Sequence, residues 1–101
     1  MRIVILGAGT VGASIADVLC SLGHDVTVVD HDAEHIRRIN EELDVLFVNG
    51  SASQSSVLFQ TGISSADICL AVTGQDEVNI VAASMAKAMG ARRALARAYA
   101  P

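Results

Sequence analysis

The stretch from Ile3 to Asp30 constrains the fold more than any other part of the sequence. A short apolar run, Ile3-Val4-Ile5-Leu6, leads into Gly7-Ala8-Gly9-Thr10-Val11-Gly12, then an amphipathic segment, then a second apolar run, Val26-Thr27-Val28-Val29, that ends in Asp30. It reads as strand, glycine turn, helix, strand and acid. Three small residues in six arise often by chance, so the glycines alone say little. Their context decides: they follow a strand and open a helix, and Asp30 stands 18 positions after Gly12. An acid roughly 20 residues on is what a dinucleotide-binding βαβ unit uses to meet a ribose.

Each glycine of the turn has a separate task in such a unit. Gly7 permits the tight turn, Gly9 lets a pyrophosphate approach the backbone, and Gly12 lets the helix press against the strand. Amides near Thr10 and Val11, at the positive end of the helix dipole, then face the phosphates. Asp30 discriminates between cofactors, because a carboxylate accepts hydrogen bonds from ribose hydroxyls but repels a 2′-phosphate. NAD(H) is therefore expected over NADP(H).

The rest of the chain alternates strands and helices, which predicts a Rossmann-like α/β fold: one doubly wound parallel sheet of five strands in a single domain. The first helix, about Thr10 to Leu22, carries Val11, Ile15, Val18, Leu19 and Leu22 as the stripe expected to pack on the sheet, and Gly23 ends it. Asp32 is the N-cap candidate of a second helix, with Ile36, Ile39 and Leu43 facing inward and Arg37, Arg38, Glu41 and Glu42 outward. The third strand is read as Val45 to Val48, and a loop of small residues, Asn49 to Ser53, follows. Ser53 is expected to cap a short helix bearing Val57, Leu58 and Phe59, and Gly62 breaks that helix. The fourth strand is Ile68 to Val72. Thr73-Gly74-Gln75-Asp76 resembles a capping box opening a helix with Val78, Val81, Ala82, Met85 and Met89 on one face. Gly90 closes it, and Ala94 to Tyr99 is the fifth strand. A βαβ series would place another helix after Pro101, so the sequence is expected to be truncated before its last helix.

In such a sheet the ligand lies at the carboxyl ends of the strands, where the strand order reverses. The sequence places the glycine turn, Asp30, the Gly50 to Ser53 loop and Thr73 at those ends, with Arg97 at the end of strand five. Asp76 and Glu77 sit in a first helical turn, where their default role is to complement the dipole. Asn79, one turn in, is harder to explain as surface filler. Catalytic machinery is missing: there is no nucleophile elbow, no Walker lysine loop and no catalytic residue in a substrate domain.

Composition removes other classes. Net charge is −4 and the seven Lys and Arg form only small clusters, Arg37-Arg38 and Arg92-Arg93-Arg97, so no nucleic-acid partner is expected. The longest wholly apolar runs, Ile3 to Leu6 and Ile68 to Val72, fall far short of the ~20 residues of a membrane span, and no secretion signal precedes the first strand. Cys20 and Cys69 lack C-x-x-C spacing and read as reduced core thiols of a cytosolic protein. His24 and His35 read as surface histidines, and with His31 they show no metal-ligand spacing.

The glycine turn, Asp30, Gly50-Ser51-Ala52-Ser53, Ala66-Asp67, the run Ala71-Val72-Thr73-Gly74-Gln75-Asp76-Glu77-Val78-Asn79 and Ala96-Arg97 together resemble the TrkA N-terminal domain family, also called RCK or KTN. The resemblance covers essentially all of the chain, and Thr73 to Asn79 is its most specific part. It implies a cytoplasmic nucleotide-sensing domain that binds NAD(H) or adenine nucleotides. It implies also that the domain pairs as a homodimer or a larger ring and gates an integral-membrane potassium transporter or channel, lying peripheral to the inner membrane through that partner. By position, the resemblance gives the amides of Gly7, Ala8, Gly9, Thr10, Val11 and Gly12 to the pyrophosphate, Asp30 and His31 to the adenosine ribose and Ser51 and Ala52 to the adenine. It sets Thr73 beside the second ribose or terminal phosphates, with Arg97 nearby. The chain departs from the family at Ser51, where an acid is usual. Members preferring ATP carry an arginine inside the glycine turn; Thr10 and Val11 stand here instead, which tilts the expected ligand to NAD(H), with ATP or ADP as alternatives. A competing reading is the cofactor half of an NAD-dependent dehydrogenase without its substrate domain.

Overall fold

The structure, a computed structural model, describes residues 1–98. Its elements in chain order are β1 (Arg2–Leu6), α1 (Thr10–Ser21), β2 (Asp25–Asp30), α2 (Ala33–Glu42), β3 (Leu46–Asn49), α3 (Ser55–Gln60), a 3-10 turn (Ile63–Ser65), β4 (Ile68–Ala71), α4 (Asp76–Ala88) and β5 (Arg93–Ala96). The five strands form one sheet in the order β3-β2-β1-β4-β5, and every neighbouring pair is parallel. This is the doubly wound Rossmann-like architecture expected. The order reverses at β1, where the register sets Leu6 opposite both Val29 and Ala71. The carboxyl ends of β1, β2 and β4 therefore open on one common edge.

The alternation of β1 explains the two-sided core. Ile3 and Ile5 join Ala16, Val26, Val28 and Ile39 on the face covered by α1 and α2. Val4 and Leu6 join Val57, Leu58, Ile63, Cys69, Ala82 and Ala86 on the face covered by α3 and α4. Ile5, Leu6 and Leu58 are wholly buried, and each such side chain contributes about 1.5–3 kcal/mol of transfer free energy. No helix among the described residues is long and apolar enough to cross a membrane.

Several helical faces differ from the expected ones. In α1 the buried residues are Gly12 and Ala16, flanked by Ala13, Ile15, Leu19 and Cys20, whereas Val11, Val18 and Leu22 are exposed. The reason is close approach: α1 lies so near β1 that only the smallest residues fit the contact line. In α4, Asn79, Ala82, Ala83 and Ala86 are buried with Val78, Met85 and Met89 beside them, and Val81 is exposed. Alanine again permits the close contact that a larger side chain would hold off. Ile36 and Ile39 of α2 are buried as expected, and the Asp32 side chain caps that helix by accepting from the Glu34 N–H at 2.9 Å.

Neither of the other expected caps forms. Gln54, not Ser53, precedes α3 and makes no side-chain cap bond, because the Ser53 hydroxyl pairs with that of Ser51 at 2.8 Å. Phe59 points to solvent rather than into the core. Gln75 occupies the N-cap of α4, and the Thr73 hydroxyl is instead donated to Asn79 Oδ1 at 2.6 Å. Strand ends also shift. The edge strand β3 starts one residue later than Val45 and exposes Leu46 and Phe47. β4 stops at Ala71, although the Val72 N–H still reaches Leu6 O at 2.8 Å. β5 spans Arg93 to Ala96, shorter than expected, and Tyr99 lies outside the described residues.

Candidate functional site

A crevice of about 690 Å³ opens at the carboxyl edge of the sheet. That volume lies within the ~300–1,000 Å³ range of small-molecule sites. Its walls are the glycine turn after β1, the end of β2, the loop after β3, the loop after β4 and Arg97 after β5.

The three glycines of the turn answer to different constraints. Gly7 has φ +113°, a conformation that side chains rarely adopt, and its N–H is donated to Val29 O at 2.7 Å. A Cβ on Gly12 would stand 1.7 Å from Gly7 O, so any side chain there forces α1 off the strand. Gly9 is different. Its φ is −72°, and a Cβ built on it meets only the His35 ring, at 4.0 Å. Packing and backbone geometry require glycine at 7 and 12 but not at 9. The space above Gly9 belongs to the crevice.

The helix that starts here lacks the usual anionic cap. Gly9 offers no side chain, and the first turn of α1 contains no acid, whereas α2 has Asp32 and Glu34 and α4 has Asp76 and Glu77. First-turn amides have no intrahelical acceptor, and together with the dipole they favour an anion. The residues present thus fit a phosphate-bearing group at this turn.

Asp30, at the end of β2, is buried and tied on both carboxylate oxygens. Oδ2 accepts from the Ala8 N–H at 2.7 Å and lies 3.1 Å from His35 Nδ1, and Oδ1 accepts from the Asp32 N–H at 2.7 Å. Burial pushes its pKa up. The amides of Ala8 and Asp32 and the His35 ring outweigh that effect, and the net shift is downward. The carboxylate is thereby kept ionised and aimed. His31 is highly exposed, with Nδ1 3.6 Å from Asp30 Oδ1. The loop after β3 hangs from the same residue, because the Gly50 N–H and Asn49 Nδ2 are both donated to Asp30 O at 2.9 Å. This sets Ser51 and Ala52 on the crevice wall.

Opposite, the loop after β4 is held by Asn79, which is wholly buried in α4. Its Oδ1 accepts from the Thr73 N–H at 2.8 Å, and Nδ2 donates to Thr73 O at 3.1 Å and to Arg97 O at 3.0 Å. Arg97 N–H is donated to Ala71 O at 2.9 Å, and its Nη2 reaches towards Thr73 O at 3.4 Å.

Of the residues singled out from the sequence, Gly7, Gly9, Thr10, Val11, Asp30, His31, Ser51, Ala52, Thr73 and Arg97 all line this one crevice. Ala8 and Gly12 are buried behind it, and the Ala8 N–H is already donated to Asp30. Sequence reasoning missed His35. It is not a surface residue: it is half-buried against Asp30 and lines the crevice. Its position in the first turn of α2, three residues after the Asp32 cap, was the available signal. Asn79 stood out as an oddity, but its bonding was not foreseen.

The family model described as the TrkA-N domain matches residues 3–101. The chain belongs to that family. Curated relatives include a Trk system potassium uptake protein TrkA homolog of Archaeoglobus fulgidus, 44% identical over 101 residues. The Trk system potassium uptake protein TrkA of Halomonas elongata is 45% identical over 86 residues, or 85% of this chain. The TrkA-N domain described here spans 23% of the first relative's length and 19% of the second's. Among solved structures, the Kef CTD of Shewanella denitrificans in its AMP-bound form matches with a TM-score of 0.77 and 15% identity, over 94% of this chain and 57% of that one. UDP-glucose 4-epimerase of Thermus thermophilus in complex with NAD matches with a TM-score of 0.69 and 18% identity, over 88% of this chain and 33% of that one. At these identities the likeness is one of fold.

Proposed function

We propose that residues 1–101 form a nucleotide-sensing regulatory domain of a potassium uptake system and that the crevice takes NAD(H). The observation that carries this reading is Gly9: nothing among the described residues requires glycine there, and the open space lies at an uncapped helix N-terminus. A dinucleotide's pyrophosphate would be held by the first-turn amides of α1 at Thr10 and Val11. Ala8 serves from behind by aiming Asp30, whose carboxylate accepts the hydroxyls of the adenosine ribose, with His31 alongside. Ser51 and Ala52 would border the adenine, and Thr73 and Arg97 the second ribose or a terminal phosphate. An ionised Asp30 disfavours a 2′-phosphate, hence NADP(H). ATP or ADP is the alternative occupant, and the AMP and NAD bound by two proteins of the same fold support the ligand class.

The role is regulatory rather than catalytic, in keeping with relatives named as potassium uptake proteins. The domain would act in the cytoplasm as a homodimer or larger ring against an integral-membrane transporter subunit, with ligand exchange biasing the assembly by the ~1–3 kcal/mol typical of coupled sites. The test is calorimetric titration of the chain with NAD, NADH, NADP, ATP and ADP. NAD or NADH is expected to bind at least about tenfold more tightly than NADP. No binding by any of the five overturns the nucleotide reading, and a preference for NADP overturns the role given to Asp30. Complementation of potassium-uptake-deficient cells by the full-length gene tests the transport role, which failure by a well-expressed protein would contradict.

A further inference from the structure

Among the described residues, His35 is the one ionisable side chain on the crevice wall to which the nucleotide reading assigns no task. It lies in the first turn of α2, a position where the helix dipole disfavours a cation. Two carboxylates nonetheless face its ring: Nδ1 lies 3.1 Å from Asp30 Oδ2, and Nε2 lies 3.7 Å from Asp32 Oδ2. A neutral imidazole carries a proton on one nitrogen only, so it serves one carboxylate and turns a lone pair on the other. Only the protonated ring satisfies both. The ring also stands over the glycine turn, with Cε1 4.0 Å from the position of a Gly9 Cβ. Anything that places phosphate charge above Gly9 therefore places it beside this ring.

We propose that His35 is the proton-linked positioning residue of the crevice: held between Asp30 and Asp32 over Gly9, it takes up a proton when a dinucleotide's pyrophosphate binds. This rests on the nucleotide reading above and adds a regulatory input to it. The charged groups around the ring are Asp30 at the end of β2, Asp32 and Glu34 at the start of α2, His31 beside Asp30, and Arg97 on the crevice wall. The glycine turn contributes no ionisable side chain. Glu34 is engaged by Arg37. His31 is the other imidazole on the crevice wall, so the experiment must separate the two histidines.

NAD is the suitable probe, because its phosphates are diesters that do not titrate near neutrality. Calorimetry of NAD binding at pH 5.5 and pH 8 brackets the ~6.5 of an ordinary imidazole, and titration at about pH 7 in two buffers of different ionisation heat reads proton uptake where it is greatest. Wild-type protein is expected to bind NAD roughly fivefold more tightly at pH 5.5 than at pH 8, with net proton uptake on binding at about pH 7. His35→Asn and His35→Gln are expected to bind with a Kd that no longer changes with pH, and His31→Asn to retain the change. Binding without proton uptake in the wild type overturns the proposal, as does a pH dependence that survives both His35 variants or vanishes in His31→Asn. Absence of NAD binding at every pH overturns the NAD(H) reading of the crevice and this proposal with it, an outcome distinct from binding without uptake.

Discussion

The side-chain amide of Asn79 closes both hydrogen bonds of the Thr73 peptide, accepting from its N–H at 2.8 Å and donating to its carbonyl at 3.1 Å. The same nitrogen reaches Arg97 O at 3.0 Å, so one buried side chain joins α4, the loop after β4 and the exit of β5. Leucine has the same branching and number of heavy atoms, and none of these bonds. Asn79→Leu is expected to lower unfolding free energy by about 2–4 kcal/mol, because it takes the amide partner from the part-buried Thr73 N–H and from the Thr73 and Arg97 carbonyls. Urea denaturation measures this; a loss under about 1 kcal/mol would show that water replaces the amide.

Gly12→Ala tests the contact between α1 and β1. With a Cβ 1.7 Å from a backbone oxygen, the helix must move as a unit, and a loss of roughly 3 kcal/mol or more is expected. A melting temperature within about 2 °C of wild type would contradict the close approach.

Asp30 gives stability a defined pH dependence. Its pKa in the folded state is lowered, so the unfolded state binds more protons across the window below the ordinary carboxylate value of ~3.9. The contribution is present above that value and lost as pH falls through the folded pKa. Between pH 5 and pH 2.5 the wild type is expected to lose more stability than Asp30→Asn. Parallel curves for the two proteins would contradict the bonding described for this carboxylate.

The two thiols should differ in reactivity. Cys69 is fully buried in β4, and burial pushes its pKa up to about 12, whereas Cys20 is only half-buried. A disulfide reagent is expected to modify Cys20 in the folded protein and Cys69 only after denaturant is added. Equal rates for both in the native state would contradict the packing of β4.

These tests bear on features of unequal legibility. The glycine turn, β1, β2 and Asp30 are readable because their chemistry is local: a turn, a helix start and an acid at fixed spacing. The buried face of α1 is not, because a periodicity of large apolar residues favours Val11, Val18 and Leu22, while the contact is made by Gly12 and Ala16. Close packing selects small residues, which carry little weight in an apolar pattern. Thr73 looked like a cap because T-x-x-D has the right spacing, but Asn79, six residues on, competes for its hydroxyl. His35 fell outside the apolar stripe of α2 and so read as wet; only the sheet order, which sets the start of α2 beside the glycine turn, reveals what it faces.

Gly9→Ala fills the space above the glycine turn that a nucleotide would occupy. A methyl group there meets only the edge of His35, and the change is expected to alter stability by less than about 1 kcal/mol. Calorimetric titration of NAD into this variant is the decisive measurement. A folded protein is expected whose NAD affinity falls by at least roughly tenfold from that of the wild type, as the methyl group takes the place of the pyrophosphate. A folded Gly9→Ala that binds NAD as tightly as the wild type would contradict the place given to the pyrophosphate.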